Sequence, residues 1–322
     1  MDLEEQILHY YLKLFSFFVI SATLIVLSYC YFIINKEIKL DNKEKIITII
    51  KGQNIKNLID NNLGNNNISN KIIFNFFSKL YLSFYNTNIH YGEFYVDKKT
   101  NFFGLLQIVT KPSNIINKII IIEGWSKKQL NLELRKHFND AKEIDYSEII
   151  ADTYYFNKGI KFNEFYSILK QNKLNYINKY KKNTFFDKYN INDLFIIGSL
   201  IEKEGFDNLD KKLISSVIFN RLDKKMRLQI DATVIFAITN GEYNLERKLN
   251  LKDLKFNHSH NTYLIKALPP SPISYVGKKT IDIIFENYKS DFLFYFFNNT
   301  YKRHVFSKTF EEHKYKLNEY RK

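Results

Sequence analysis

The chain has 322 residues, a formal net charge of +14, a pI near 9.4 and a single cysteine. That length accommodates two domains and a sizeable core, and Cys30 alone excludes an intramolecular disulfide and any thiol-based zinc site. The basic balance does not point to nucleic acid: Lys, Asn, Ile, Phe and Tyr are inflated together, as in Asn65-Asn66-Asn67, and no helix-turn-helix, zinc-finger or RNA-recognition signature accompanies the charge.

Residues 1–13 read as a short tail and residues 14–35 as a membrane anchor, because 14–35 contain no charge and are rich in Phe, Ile, Val and Leu. As a helix this run would be about 33 Å long, enough to cross the hydrocarbon of a bilayer. It is too long for a signal peptide and has no small-residue cleavage site after it. A charged juxtamembrane stretch follows at 36–45. Only Lys13 lies close before the segment, against Lys36, Lys39, Lys43 and Lys45 after it, so a count of basic residues places the downstream part in the cytoplasm.

Beyond the anchor, residues 46–112 alternate strand-like runs (46–50, 93–96) with helical ones (71–80, 103–109, the latter capped by Thr100 or Asn101). Pro112 marks a boundary. In the region 113–190, residues 119–122 read as a strand, 126–137 as a helix, and the Lys- and Asn-rich 160–190 as a connecting helix and loop. Residues 191–322 form the last domain, in which 292–297 and 301–306 flank an Asn-Asn-Thr turn as a hairpin. Thr309-Phe-Glu-Glu312 is a capping box opening the final helix. The fold class is α+β.

The most informative helix is Leu194-Phe-Ile-Ile-Gly-Ser-Leu-Ile-Glu-Lys-Glu-Gly205. At about 100° per residue, Leu194, Ile197 and Ile201 form one apolar stripe with Glu202 beside it, and Glu204 falls roughly 160° away. A carboxyl at the border of an apolar surface resists ionisation, which suits a general acid; Gly198 and Ser199 are small enough to admit a substrate. The alternative is a helix-edge glutamate in an exposed ion pair. Asp207 or Asn208 can cap a second helix, which ends in Asn220-Arg221. Then come Met226-Arg-Leu-Gln229-Ile-Asp231-Ala-Thr233-Val234, Asn261-Thr262-Tyr263, Leu268-Pro-Pro-Ser-Pro272-Ile273 and His304-Val-Phe306.

This ordered set resembles the YceG-like endolytic murein transglycosylases, membrane enzymes that cut peptidoglycan glycan strands. Several blocks in order over roughly 120 residues are far more specific than any one of them. Upstream, Ile50-Lys51-Gly52-Gln53 and Tyr91-Gly92-Glu-Phe-Tyr95 resemble the borders of that family's LysM-like subdomain, assigned here to 46–112, and Ile122-Glu123-Gly124 resembles the segment that opens its next region. Ala151, Ala232 and Gly205 depart from the family pattern, replacing two prolines and a threonine.

The resemblance implies a lyase. The first glutamate of the Glu-Lys-Glu triplet, Glu202, would protonate the bridge between N-acetylmuramic acid and N-acetylglucosamine, then take the proton of the muramyl 6-hydroxyl as that oxygen closes a 1,6-anhydro ring. Gln229, Asn220 and Asn261 would hold acetamido and hydroxyl groups, Asp231 would help bind or catalyse, and Tyr263 would offer a platform for a sugar ring. The implied place is the inner (plasma) membrane, single-pass, with the catalytic domain outside the cytoplasm, against the basic-residue count. The partners are glycan strands, the membrane and, as candidates, peptidoglycan synthases, and the implied role is to end elongation of nascent strands.

Each residue also has a plainer reading. Asp231 is placed to N-cap a helix over 232–239, Asn220-Arg221 can be a helix C-terminus, Gln229 a loop amide, and Tyr263 core. No cofactor or metal is expected: there is no His-x-x-x-His pair, phosphate-cradling glycine loop or Gly-x-Ser-x-Gly elbow, and His258-Ser-His260 reads as a polar loop. The competing functions are an inactive membrane-anchored peptidoglycan-binding scaffold and a hydrolase on the same substrate.

Overall fold

The structure is a computed structural model that describes residues 3–38, 46–63, 68–97, 99–113 and 115–320. Most of the juxtamembrane stretch (39–45) and the Asn65-Asn66-Asn67 run therefore lie outside the described residues. The elements are mixed helix and strand, and the chain divides into two compact units, Met1–Asn117 with Tyr155–Ile160, and Lys118–Tyr154 with Lys161–Lys322.

In the first unit, α1 spans Leu3–Asn35 as one continuous helix, so the expected tail is helical rather than separate. Its apolar side chains from Ile7 to Phe32 are mostly exposed, and it is long and apolar enough to cross a membrane. Strand β1 (Ile46–Ile49), helices α2 (Ile55–Asn62) and α3 (Ile68–Phe84), and strand β2 (Gly92–Tyr95) follow; the two strands and α3 stand where sequence placed them, while α2 had no counterpart among the placed elements. The strands pair antiparallel, with Ile46 opposite Tyr95 and Ile49 opposite Gly92. Helix α4 (Phe102–Val109) is capped by Asn101, whose side chain accepts from Gly104 N at 2.8 Å. Ile47, Ile49 and Phe94 from the strands meet Leu58, Phe74, Leu105 and Leu106 from the helices, and Ile33 brings the end of α1 into the same core. Strands β3 (Ile116–Ile120) and β4 (Thr153–Asn157) each run across the division of the chain into the two units, and β4 was unforeseen from sequence.

The second unit contains α5 (Lys127–Arg135), α6 (Phe162–Asn178), α7 (Ile191–Glu204), α8 (Asn208–Asp223), α9 (Asp231–Thr239) and α10 (Lys278–Glu286). A hairpin of β5 (Phe294–Asn298) and β6 (Arg303–Ser307) and the closing α11 (Phe310–Tyr320) complete it. At the centre lies α7. Asn190 and Asp193 form a reciprocal capping box at its start, with bonds of 3.0 and 2.9 Å. From Leu194 to Ile201 every residue is buried, because α8, α9 and α10 all pack on it.

Gly198 and Ser199 serve that packing rather than substrate access. A Cβ on Gly198 would stand 2.6 Å from Val276 Cγ1, so only glycine allows that approach. Ser199 Oγ donates to Ile196 O at 2.8 Å and accepts from Ile273 N at 3.0 Å, pinning the irregular 273–276 segment to α7. Gly198→Val should therefore destabilise the second unit by about 1–3 kcal/mol, the usual cost of overpacking a core. Thermal unfolding checks it, and an unchanged Tm would show that the segment can retreat freely.

Candidate active site

The last turn of α7 carries Glu202 and Glu204, which helix periodicity sends to different surroundings. Glu202 is 2% exposed at the side chain and pairs with Lys211 Nζ of α8 at 2.5 Å. Its Oε1 accepts from Gly277 N at 3.0 Å, at the N-terminus of α10. Lys211 Nζ also donates to Thr280 Oγ1 at 3.1 Å. Glu123 packs against the same turn: its carboxyl fills the space where a Cβ on Gly277 would sit, 2.2 Å from Oε1. Burial, then the nearby Glu202 charge, pushes the Glu123 carboxyl up from its ordinary range. Both oxygens of Glu202 are thus committed to a buried network tying α7, α8 and α10 together.

Glu204 faces a different space, a cleft of about 580 Å³ between the end of α7, the α8–α9 loop and the β5–β6 hairpin. Arg221, Gln229, Asp231, Tyr295 and His304 share its walls. The Glu204 side chain opens into this cleft, so the residue is only half-buried, yet the enclosing protein desolvates its carboxyl. That desolvation raises its pKa to about 7. The charge of Asp231 adds to the rise, while His304, the Ala232 N–H and the Tyr295 hydroxyl (3.5 Å from Oε2) oppose it. A carboxyl that is half protonated near neutral pH matches the requirement for a general acid.

The walls of the cleft are held from behind. His304 Nδ1 bonds Asp210 Oδ2 at 2.8 Å, both side chains being nearly buried, and Asp210 Oδ2 accepts from Phe206 N at 3.0 Å. The imidazole is therefore fixed through one nitrogen and stands edge-on to the Tyr295 ring. Arg221 is buried, donating to Leu293 O at 2.6 Å and Leu228 O at 2.7 Å. These bonds join the α8–α9 loop to the hairpin. Gln229 adopts a left-handed φ of +51°, and its amide oxygen lies 3.4 Å from Arg221 Nη1. Asp231 is the first residue of α9, not its cap; the capping position is Ile230, which has no side-chain bond to the helix. Its carboxylate instead accepts from Tyr263 Oη at 2.6 Å.

Of the residues expected from sequence, the structure brings Gln229 and Asp231 to the Glu204 cleft, and Tyr263 to it through Asp231. It sets Glu202, Asn220 and Asn261 apart. Asn220 Nδ2 donates to Ser290 O (2.7 Å) and Phe292 O (2.9 Å). Asn261 is fully buried, donating to Leu254 O and Phe256 O and accepting from Tyr263 N. The NH₂ groups of both amides are spent on holding loops. Glu204, Arg221, Tyr295 and His304 also line this cleft and were not among the site residues expected from sequence. Arg221 and His304 lay in motifs already noticed, but which side of α7 faced a cleft could not be read without the packing of α8 and α10. Among the described residues no cluster of His, Cys, Asp and Glu has the makings of a metal site.

The two glutamates should separate in experiment. Removing one charge from a buried pair leaves the other uncompensated, at about 3–5 kcal/mol. Glu202→Gln should accordingly lower Tm, with Lys211→Met in the same protein recovering part of the loss; Glu204→Gln should leave Tm unchanged or raised. Equal Tm values for wild type and Glu202→Gln would show that the Glu202 network is not structural.

Residues 47–319 match the YceG-like family. The endolytic murein transglycosylase of Bacillus subtilis (strain 168) is 36% identical over 138 residues, 43% of this chain and 37% of that protein. The protein of the same name from Streptococcus pneumoniae serotype 2 is 29% identical over 124 residues, 38% of this chain and 22% of that protein. The aligned regions thus span well under half the length of these curated relatives. A crystal structure of a YceG-like protein from Listeria monocytogenes aligns with a TM-score of 0.55 at 25% identity, covering 84% of this chain and 98% of that one. With a family match over most of its length and the same fold as a solved relative, the chain belongs to the YceG-like family.

Proposed function

We propose that this chain is a membrane-anchored lytic transglycosylase that cuts the N-acetylmuramic acid to N-acetylglucosamine bond inside peptidoglycan strands. The observation that carries the proposal is Glu204, a desolvated carboxyl with a pKa of about 7 at the wall of a polar cleft. The relatives named endolytic murein transglycosylases supply the substrate class. Protonated Glu204 gives its proton to the bridging oxygen as the C1–O bond breaks. The carboxylate left behind takes the proton of the muramyl 6-hydroxyl, whose oxygen bonds to C1 and closes the 1,6-anhydro ring. The proton is returned, no water is consumed, and one residue serves as acid and then base.

The remaining groups act on binding and charge. Gln229 is exposed at the cleft wall with its amide NH₂ available to an acetamido oxygen. His304, held by Asp210, offers its second ring nitrogen to a sugar hydroxyl. Asp231, kept in place by Tyr263, lies where negative charge would favour the oxocarbenium-like carbon. Glu202 is a positioning residue that fixes the turn on which Glu204 stands. In the first unit the β1-α2-α3-β2 order supports a LysM-like glycan-binding subdomain. We assign α1 to the inner membrane with the second unit outside the cytoplasm, where glycan strands lie, and the role to ending strand elongation beside peptidoglycan synthases.

Asp231 also favours a second reading. A second carboxylate in the same cleft is what a two-carboxylate hydrolase uses, one acid and one base for water. The products decide. Digestion of intact sacculi in ¹⁸O-water should give unlabelled 1,6-anhydromuramyl ends; label at the muramyl C1 would replace the lytic reaction with hydrolysis.

Activity should also follow the state of Glu204. The protonated form is the competent one, so the rate should be high below pH 7 and fall as pH rises through about 7. Glu204→Gln should lower turnover by at least ~10²-fold. A Glu204→Gln protein that cleaves sacculi like wild type would remove this residue from the chemistry and leave the inactive-scaffold and alternative-acid readings.

A further inference from the structure

Helix α3 presents apolar side chains that are left exposed among the described residues of its own unit. Ile68, Ile72, Phe76, Leu80 and Phe84 recur every fourth residue and are each 53–83% exposed. The opposite face is the one that packs: Phe74 is buried against the ring of Phe102, and Ile73, Phe77 and Tyr81 lean on the same core. At about 100° per residue each step of four advances the face by about 40°, so the five wind around α3 and Ile68 and Phe84 end about 160° apart, whereas Ile72, Phe76 and Leu80 stay within about 80° and form one apolar patch about 12 Å long. Three large apolar side chains exposed together on one face of a helix mark a binding surface rather than scattered surface side chains.

Three observations say what covers it. Helix α3 packs directly on α1, the helix long and apolar enough to cross a membrane. The contact is at the end where α1 leaves the apolar run, since Ile33 of α1 is buried in the core that holds Phe74. The ionisable residues of α3 outside tyrosine are Lys71 and Lys79, with no Asp or Glu in the helix. Aromatic and aliphatic side chains along one face, flanked by lysines alone, are the composition of a helix that lies in a lipid interface and meets anionic headgroups.

We infer that α3 lies along the surface of the bilayer that α1 enters, with Ile72, Phe76 and Leu80 sunk among the acyl chains next to the headgroups. This rests on the membrane reading of α1. The first unit is then held to the membrane at two places, a crossing helix and a surface helix, which limits how far it can tilt or swing about α1.

The test uses the full chain in a Cys30→Ser background, reconstituted in vesicles of phosphatidylethanolamine and phosphatidylglycerol. Single cysteines from Ile25→Cys, Phe76→Cys, Leu80→Cys and Lys182→Cys carry a bimane fluorophore, and quenching by nitroxide-bearing lipid is measured. The patch residues are exposed, so these substitutions remove no core contact. Fluorescence should be lost at position 25 in the anchor and at positions 76 and 80, with no comparable loss at position 182. Quenching at 25 alone would overturn the inference and leave a protein partner for the patch, while the anchor stands. Quenching at none of the four would overturn the membrane reading of α1 and the inference with it.

Discussion

One turn of helix sets the terms for the second unit. Glu202 and Glu204 are two residues apart on α7, and an α-helix cannot point both into the same environment. The interior side is already crowded: α8 and α10 close on α7, and Lys211, Gly277 and Glu123 meet Glu202 there. Because Glu202 is fastened on that side, Glu204 is aimed with little freedom at the cleft beyond. The pKa of Glu204 then depends on geometry set by its neighbour's ion pair. A loosened turn would let water reach the carboxyl and return it toward the ordinary range near 4.5.

The cleft is built by the same economy. Asn220 and Arg221 sit side by side at the end of α8; Asn220 donates to backbone carbonyls of the segment just before the hairpin, and Arg221 to Leu293 O of that segment and to Leu228 O of the α8–α9 loop. That stitching places Tyr295 and His304 opposite Glu204. Asp210, one turn into α8, orients the imidazole, while Lys211 beside it in sequence holds Glu202. Consecutive residues of α8 thus serve the two sides of α7, so the packing of one helix pair determines both the fixed carboxylate and the titrating one.

Much of this was legible in the sequence. The apolar run of α1, the strands β1 and β2 with helices α3 and α4 of the first unit, the caps at Asn101 and Asp207, the hairpin and the ordered motifs all rest on local pattern, and local pattern survives folding. The 160° separation of the two glutamates was readable too. What was not readable was which side would be closed off, because that depends on where α8 and α10 dock, contacts between residues far apart in sequence. Glu202 borders the apolar stripe and so looked like the desolvated acid; the structure puts a lysine there instead. Asn220 and Asn261 were ambiguous in sequence for a related reason. A buried amide that joins loops and one that binds sugar use the same donors, and only the positions of the Ser290, Phe292, Leu254 and Phe256 carbonyls tell them apart.

The central claim is that Glu204 is the carboxyl poised to exchange a proton near neutral pH. A direct measurement is a ¹³C NMR titration of protein labelled at the glutamate side-chain carboxyls, with Glu204 identified as the resonance missing from Glu204→Gln. A midpoint near pH 7 for that resonance is the result expected from its desolvated place in the cleft. A midpoint in the ordinary range of an exposed glutamate, near 4.5, would contradict the account and return the search for the acid to the other side of α7.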